Sequence, residues 1–502
     1  MCPSEISAAP PPSARPAHAG TVTDAAVAFI RSARYETVPE DALAVARRCI
    51  LDSTGLFLAG LSERSTAILI GSALRQGGAP DALLLGAGAT RVPAPVAARV
   101  LATSGHAHDW DDTQVSHDPA HVYGLLTHPS IPPLTAAITV CDMLGGRSGR
   151  DLVTAFCVGF EVACKISEWM RPDHYLRGHH SSGTVGTFAA AATAAHLLGL
   201  GDAATAHALG IAGSFAAGIR CNFGTMTKPL HVGRAAENGV LAALLAQDGF
   251  TADGAVLDGP WGFPTVLSGG FDPDKVGQGF GRTWTIVDPG VSIKPYPSGI
   301  LTHQSMDLVR RLVVEHDIAP GMVDRVEFHA GDNILKPIRY PVARTGLEAK
   351  FSMAALIAML IRHRKAGIEQ FSDEAVGDPA FQALQRRITT HRDPGINAQG
   401  FDLIRSRVVF HLTDGRRVEG WADTRYRGGP SLPMSEADLV DKFTDCTAAI
   451  LDRPDREALI ETIGAIDGLP DAGAYIDRLR VQCPAAPLVI DLPAPPAEAG
   501  HA

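Results

Sequence analysis

The sequence predicts a mainly α fold: a large all-helical domain, discontinuous in the chain, with a smaller α+β lid domain inserted into it. Three observations predict this. From Thr23 to about Ala246, apolar residues recur at helical spacing and strand signals are sparse. Near Asp288 the composition shifts: Pro289, Pro295 and Pro297 mark a junction, and strand-like alternation follows. After Pro430 and Pro433 the helical pattern returns. With 502 residues the chain has room for more than one domain, and a low aromatic content of 6% with abundant Ala and Gly favours closely packed helices over a β-sandwich.

The elements follow in order. Residues 1–19 carry Pro10, Pro11, Pro12 and Pro16 and read as a disordered tail. The first part of the helical domain is expected over 20–287. Thr23 and Asp24 can cap an amphipathic helix through Ile30, and Asp41–Phe57 and Asp151–Trp169 are two more. The most apolar stretch, Thr187–Leu200, contains His196 and is too short to span a bilayer, so it reads as a core helix. Asp202 can cap Ala203–Leu209, and Val232–Ala246 is a strong helix ended by Gly249. The α+β lid is expected over 288–424, with a strand at Val323–Phe328 and a helix at Lys350–His363. A hairpin, Arg407–Leu412 with Arg416–Trp421, turns at Asp414-Gly415. The helical domain resumes over 425–482, where Ser435 is the expected N-cap before Leu439, Phe443 and Ile450. A Pro- and Ala-rich tail, expected to be disordered, occupies 483–502.

Charge and composition exclude several functions. The net charge is -10 without a basic run, which argues against a nucleic-acid surface. No stretch reads as a membrane span or a signal segment. The eight cysteines are scattered with no C-x-x-C pair, as expected of reduced thiols in a cytoplasmic protein. Gly86-Ala87-Gly88-Ala89-Thr90-Arg91 begins like a dinucleotide loop but lacks the third glycine and a βαβ setting, so no nucleotide cofactor is expected.

Histidine carries the functional signal. Eight of the nineteen histidines fall between His106 and His180. A His titrates near working pH and suits proton transfer. In the first segment, Gly105–Thr113, three carboxylates (Asp109, Asp111 and Asp112) crowd together, which is costly without a cation, a metal or a shared proton. Two readings stay open. His106, His108 and Asp109 could ligate a metal, or Asp109 could orient a His or a substrate hydroxyl with Thr113 as donor. A purely structural role for Asp111 or Asp112, as an N-cap, is a third. The second segment, Gly178–Thr187, is a polar turn leading into the Ala-rich helix, whose free N–H groups can bind an anion beside His180, Ser181 and Ser182. In the third, Lys228, His231 and Arg234 are spaced three apart at a helix start. Cations there oppose the helix dipole, which makes sense if an anion lies among them.

Together these segments resemble the MmgE/PrpD family, from about Thr23 to Phe443. The matching stretches are Asp52-Ser53-Thr54-Gly55, Asp109–Thr113 with His128-Pro129-Ser130, and His180–Gly186. They continue through Thr227–His231 with Gly233–Ala236, Lys294–Pro297 with Thr302-His303, and Leu347–Ser352. The resemblance implies a homodimer with the active site in a cleft between the helical domain and the lid, and neither a metal nor an organic cofactor. By its pattern Asp109, Thr113, His128, His180 and Lys228 are the catalytic positions. Ser181, Ser182, His231, Arg234, Tyr296 and Ser298 complete the expected substrate-binding set.

The expected reaction is elimination of water from a small hydroxy di- or tricarboxylate, of the 2-methylcitrate kind. His180 or His128 would act as base, the other as acid, and Lys228 would hold a carboxylate. The alternatives are a decarboxylase of the cis-aconitate kind and an iminodisuccinate-type epimerase. A metal-dependent hydrolase and a non-catalytic carboxylate binder are rivals of other classes. Two departures bear on the choice. Gly299 stands where the decarboxylase branch carries a histidine, and Asp109-Trp110-Asp111-Asp112 replaces the Asp-Phe-Asn-Asp of the methylcitrate dehydratase branch.

Overall fold

The computed structural model describes residues 20–115, 126–277, 279–400 and 404–484. The two expected tails, apart from Cys483 and Pro484, lie outside these residues, as do His117 and His121. The described chain is mainly helical, with a small α+β region.

The helical part is built around Ser181–Leu198. This helix is buried over nearly its whole length and packs against Thr227–Gln247, Gly149–Trp169 and Ile131–Leu144. Its alanines explain how so many neighbours fit. A Cβ on Gly239 of the Thr227–Gln247 helix would lie 2.5 Å from the Cβ of Ala190, so a larger residue there would push the helices apart. Ala94–His106 packs on the same Thr227–Gln247 helix and delivers its C-terminus to the site.

Local boundaries differ from the sequence reading for identifiable reasons. The first helix spans Val22–Ser32 and is capped by Thr21, whose hydroxyl accepts from the Asp24 N–H, rather than by Thr23. Gly201, not Asp202, caps Asp202–Phe215. The helix expected from Val232 begins at Thr227. Pro229 falls in its first turn, where a missing N–H costs nothing. The Gly86–Arg91 segment joins two short antiparallel strands, Ala82–Leu83 and Arg91–Val92, and Gly86 and Gly88 supply the positive φ angles of the turn (81° and 61°).

The α+β region carries a four-stranded sheet in the order Ile388–Arg392, Val323–Ala330, Ser406–Leu412, Arg417–Trp421. The first pair is parallel and the others antiparallel. The hairpin turns at Asp414-Gly415 as expected, with Gly415 at φ 86°. Ile388–Arg392 was not legible as a strand, because only Ile388 is apolar and buried. His303–Glu315 and Met353–His363 pack on the sheet. Phe328, Phe410, Leu356 and Ile357 form a core separate from the helical one, and Tyr175 and Phe223 of the helical part contribute to it. The chain then returns to the first core. Ser435 caps Glu436–Thr447, and Phe443 packs against Gly55 of the Glu40–Ala59 helix.

Candidate active site

Three chain segments converge where the two cores meet. Ala94–His106 ends at His106 and the chain turns sharply through Asp109, which holds a left-handed φ of 52°. Asp is among the few residues that tolerate this conformation, and such strain concentrates at functional sites. Thr113 is fixed by paired backbone hydrogen bonds with Ser292 (2.9 and 2.8 Å), an isolated antiparallel bridge that brings the segment leading to Lys294 alongside.

Three consecutive carbonyls of this turn each receive a lysine ammonium. Lys350 Nζ donates to His108 O at 2.7 Å, Lys294 Nζ to Asp109 O at 2.9 Å and Lys442 Nζ to Trp110 O at 2.8 Å. The three lysines come from segments far apart in the chain. Lys442 also pairs with buried Asp52 at 2.6 Å.

The crowding of carboxylates is resolved by cations and imidazoles. Lys228 and Lys294 both donate to Asp109 Oδ1, at 3.0 and 2.8 Å. Burial would raise the Asp109 carboxyl, but the two ammonium groups outweigh it and hold the group well below the usual range. Asp111 accepts from His106 Nδ1 (2.8 and 2.9 Å) and lies 3.1 Å from His128 Nδ1, close enough for electrostatic attraction though not aligned as a hydrogen bond. Burial opposed by these two imidazoles leaves Asp111 well below its ordinary value. Asp112 accepts from the Ser130 hydroxyl and N–H, and burial pushes it up to about 7. It therefore braces the Ile131–Leu144 helix start and is not itself an N-cap.

The tautomer of His106 follows from its partners. His106 Nε2 accepts from Lys228 Nζ at 2.9 Å, so its proton sits on Nδ1, facing Asp111. Burial, only partly opposed by Asp111, lowers it to about 3, so this ring is neutral. His128 is seated by its N–H, which donates to Ser182 Oγ at 2.9 Å. His180 stands immediately before the Ser181–Leu198 helix and packs edge-on against Phe223. Its Nδ1 lies 3.1 Å from His231 Nδ1, and its buried Nε2 has no hydrogen-bond partner among the described residues. Burial, then Lys228 and His106, keep it well below the ordinary histidine value. Thr113 Oγ1 is likewise buried without a partner.

Asp109, Thr113, His128, His180 and Lys228 line one cavity, together with Lys294 and Gly299. Among the described residues its other lining is apolar, from Tyr175, Phe223, Ile300, Leu301, Ile338 and Phe351 among others. Of the expected binding residues, Ser181 and Ser182 are buried at the helix start, and the Ser182 hydroxyl is engaged by His128. His231 lies one ring behind His180, outside this lining. Tyr296 and Ser298 are buried nearby but turned elsewhere: Tyr296 donates to Asp307 at 2.8 Å, and Ser298 pairs with Thr302 at 3.1 Å.

Arg234 is not brought into the cavity. Its side chain is 52% exposed and ion-paired with Glu237. Each step of three residues falls about 60° short of a full helical turn, so Lys228, His231 and Arg234 fan round the helix instead of sharing one face.

Lys294 and Lys350 were not singled out from the sequence. Both lie in stretches that carry the family resemblance, Lys294–Pro297 and Leu347–Ser352, and that was the available signal. The His106, His108, Asp109 metal set does not converge. His108 turns the other way, with Nε2 donating to Ala59 O at 3.1 Å. His106, Asp109, Asp111 and His128 do lie within ligand distance of one another. However, Lys228 already occupies His106 Nε2 and Asp109 Oδ1, and the His106 Nδ1 proton occupies Asp111. A metal ion would have to displace an ammonium group from this set.

Residues 25–276 match the MmgE/PrpD N-terminal domain and residues 296–467 the MmgE/PrpD C-terminal domain. The chain belongs to the MmgE/PrpD family. Its relatives in this family include a mouse (Mus musculus) cis-aconitate decarboxylase, 27% identical over 92% of this chain and 93% of the relative. The human (Homo sapiens) cis-aconitate decarboxylase is 28% identical over 78% of this chain and 81% of the relative. A cis-aconitate decarboxylase from Aspergillus terreus is 25% identical over 72% and 76%. As an MmgE/PrpD enzyme, this protein is a lyase. No helix among its described residues is long and apolar enough to cross a membrane.

Proposed function

We propose that this lyase decarboxylates a small unsaturated tricarboxylate of the cis-aconitate kind. The observation that carries the reading is the two-sided lining of the cavity. Lys228 and Lys294 share one carboxylate, so the cavity meets two ammonium groups against a single compensating charge, with Asp111 behind His106 and His128. The remaining lining among the described residues is aromatic and aliphatic. A polycarboxylate can place its retained carboxylates on the lysines, and the departing carboxylate against the apolar side chains. There it loses hydration and its charge is destabilised relative to neutral CO2. The C–C bond breaks with its electron pair passing into the conjugated system, toward a retained carboxylate held by Lys228 or Lys294. One proton then adds to carbon, and His180 Nε2 faces the cavity to deliver it. The similarity to cis-aconitate decarboxylases over nearly the whole chain supports the same reading.

Elimination of water from a hydroxy acid is the second reading, and Gly299 favours it. This position lines the cavity but has no side chain with which to act as acid or base. In that reaction His180 would abstract a proton α to a carboxylate. His128 would protonate the leaving hydroxyl, oriented by Asp109 and Thr113.

Proton NMR in D2O with EDTA present separates the two. Cis-aconitate should yield CO2 and a product with one deuteron on carbon. Vinylic product from 2-methylcitrate or citrate, with cis-aconitate untouched, would replace decarboxylation by dehydration, and no turnover of any of these would overturn both. The same reading includes a homodimer, supported by exposed Phe250, Trp261 and Val266. Light scattering at one chain mass, 52.8 kDa, would remove it.

A further inference from the structure

The His180–His231 pair joins two spaces. On its inner side His180 lines the reaction cavity. On the other, His231 lines a separate groove with Gly183, Gly218, Ile219 and Arg234, which reaches solvent at the exposed Ile219 and Arg234 side chains. The two Nδ1 atoms are 3.1 Å apart, so one ring must present N–H and the other a lone pair. Their protonation states are thereby linked. If His231 Nδ1–H donates, His180 keeps its own proton on Nε2, facing the cavity. If His180 donates instead, its Nε2 faces the cavity as a base.

The backbone around the pair leaves room for little else. A Cβ on Gly218, which holds a φ of 139°, would lie 3.3 Å from His231 Cγ and 3.4 Å from His180 Cβ, wedging the two rings apart. A Cβ on Gly183 would lie 3.1 Å from His231 Cβ and 2.5 Å from Ala217 O. Glycine on both sides therefore permits the contact.

We infer that His231 is a relay residue that sets the His180 tautomer and passes solvent protons from the outer groove to the reaction cavity. This rests on the decarboxylation reading, in which each turnover releases CO2 and consumes one proton. In the transfer, the His180 Nε2 proton adds to the substrate carbon. The His231 Nδ1 proton crosses to His180 Nδ1, and a solvent proton is taken up at His231 Nε2. One proton enters from the groove and one enters the product, so no charge accumulates in the pair, but both tautomers are left reversed. The pair resets after product leaves, when water in the emptied cavity protonates His180 Nε2, the His180 Nδ1 proton returns to His231 Nδ1 and the His231 Nε2 proton goes back to the groove. His231 touches the reacting atoms only through His180 and is a positioning residue in this sense.

Two measurements on the full-length protein test the inference. The first needs no turnover. Nitrogen-15 NMR of the histidines should find His180 in the Nε2–H tautomer in the unchanged protein, and a mixture in His231→Phe. Finding His180 as Nδ1–H in the unchanged protein would overturn the relay direction whether or not cis-aconitate is a substrate. The second uses His231→Ala and His231→Asn, each accepted only if its thermal unfolding matches the parent. Both should lose at least about 10-fold in kcat with KM within about two-fold, and added imidazole should restore part of the His231→Ala activity through the opened groove. Unchanged kcat in both, or a loss that imidazole leaves untouched, would overturn the relay. If the unchanged protein releases no CO2 at all, the decarboxylation reading fails while the tautomer result still stands by itself.

Discussion

Lys228 and Lys294 both end on the same atom, Oδ1 of Asp109, at 3.0 and 2.8 Å. All three groups are buried, so each charge depends on the others. The carboxylate holds together two ammonium groups that would otherwise repel in a low-dielectric site, and a polycarboxylate of the proposed kind would find them already paired and fixed.

Lys228→Ala removes one of these anchors and the donor to His106 Nε2. The expected outcome is a loss in kcat/KM of about 10²- to 10³-fold, the range for deleting one preorganised electrostatic contact. Steady-state kinetics on the substrate identified by NMR measures it. Activity within 5-fold of the parent would remove Lys228 from the chemistry.

Asp109→Asn keeps the shape and tolerates the positive φ, so the turn can persist. It leaves two buried lysines without their shared counter-charge. Breaking a buried pair in this way costs about 3–5 kcal/mol, which should appear as a lower midpoint in chemical denaturation together with near-complete loss of activity. An unaltered midpoint would mean that the ammonium groups find another partner.

Stability should fall as pH drops below about 6.5. Burial lowers His106 and His174 to about 3, and His108 and His231 to about 4, and depresses His128, His180 and His303 as well. The unfolded chain therefore takes up protons that the folded one refuses, between the ordinary histidine value and these lower ones. Asp112 acts in the opposite sense: raised to about 7, it favours the folded state at low pH and loses that contribution as pH rises toward 7. Burial raises Asp52, Glu161 and Glu237 in the same direction, but four carboxyls against seven depressed imidazoles do not reverse the slope. The expected fall in Tm between pH 7 and 5 is at least about 5 °C. A Tm that is flat or rises over this interval would show that the histidines are charged in the fold.

Gly299 lines the cavity with ordinary backbone angles, and among the described residues a Cβ there meets only Ile338 Cδ1, at 3.1 Å. Gly299→Ala should be tolerated with a small Ile338 shift, whereas Gly299→Phe should fill the cavity and raise KM by at least about 10-fold. Equal KM values in the two variants would show that substrate does not approach this part of the lining.

Much of this was legible in the sequence. The helical periodicity gave the helices of the main domain, and Asp414-Gly415 gave the hairpin, because both signals are local. Ile388–Arg392 was missed because a mostly exposed strand has no apolar alternation to read. Asp109, Thr113, His128, His180 and Lys228 stood out through residue type and family resemblance, and the fold places them round one cavity. Lys294 and Lys350 did not stand out, since an isolated lysine is ordinarily solvated. Only the tertiary structure buries them on backbone carbonyls of residues far away in sequence. Arg234 was misplaced because a spacing of three looks like one helical face but drifts with every step.

The three lysines on successive carbonyls of His108, Asp109 and Trp110 also bear on how the enzyme is made. The turn they clamp lies early in the chain, while its fasteners are synthesised much later, Lys442 last. On the ribosome the first part of the helical core can assemble around Ser181–Leu198 before this turn is locked, since nascent chains fold as their segments emerge. The reactive turn is therefore among the last parts to reach working form. A chain cut short before Lys442 would lack both the last clamp on the turn and the part of the helical core that Phe443 and Tyr475 supply, so competence waits for this segment.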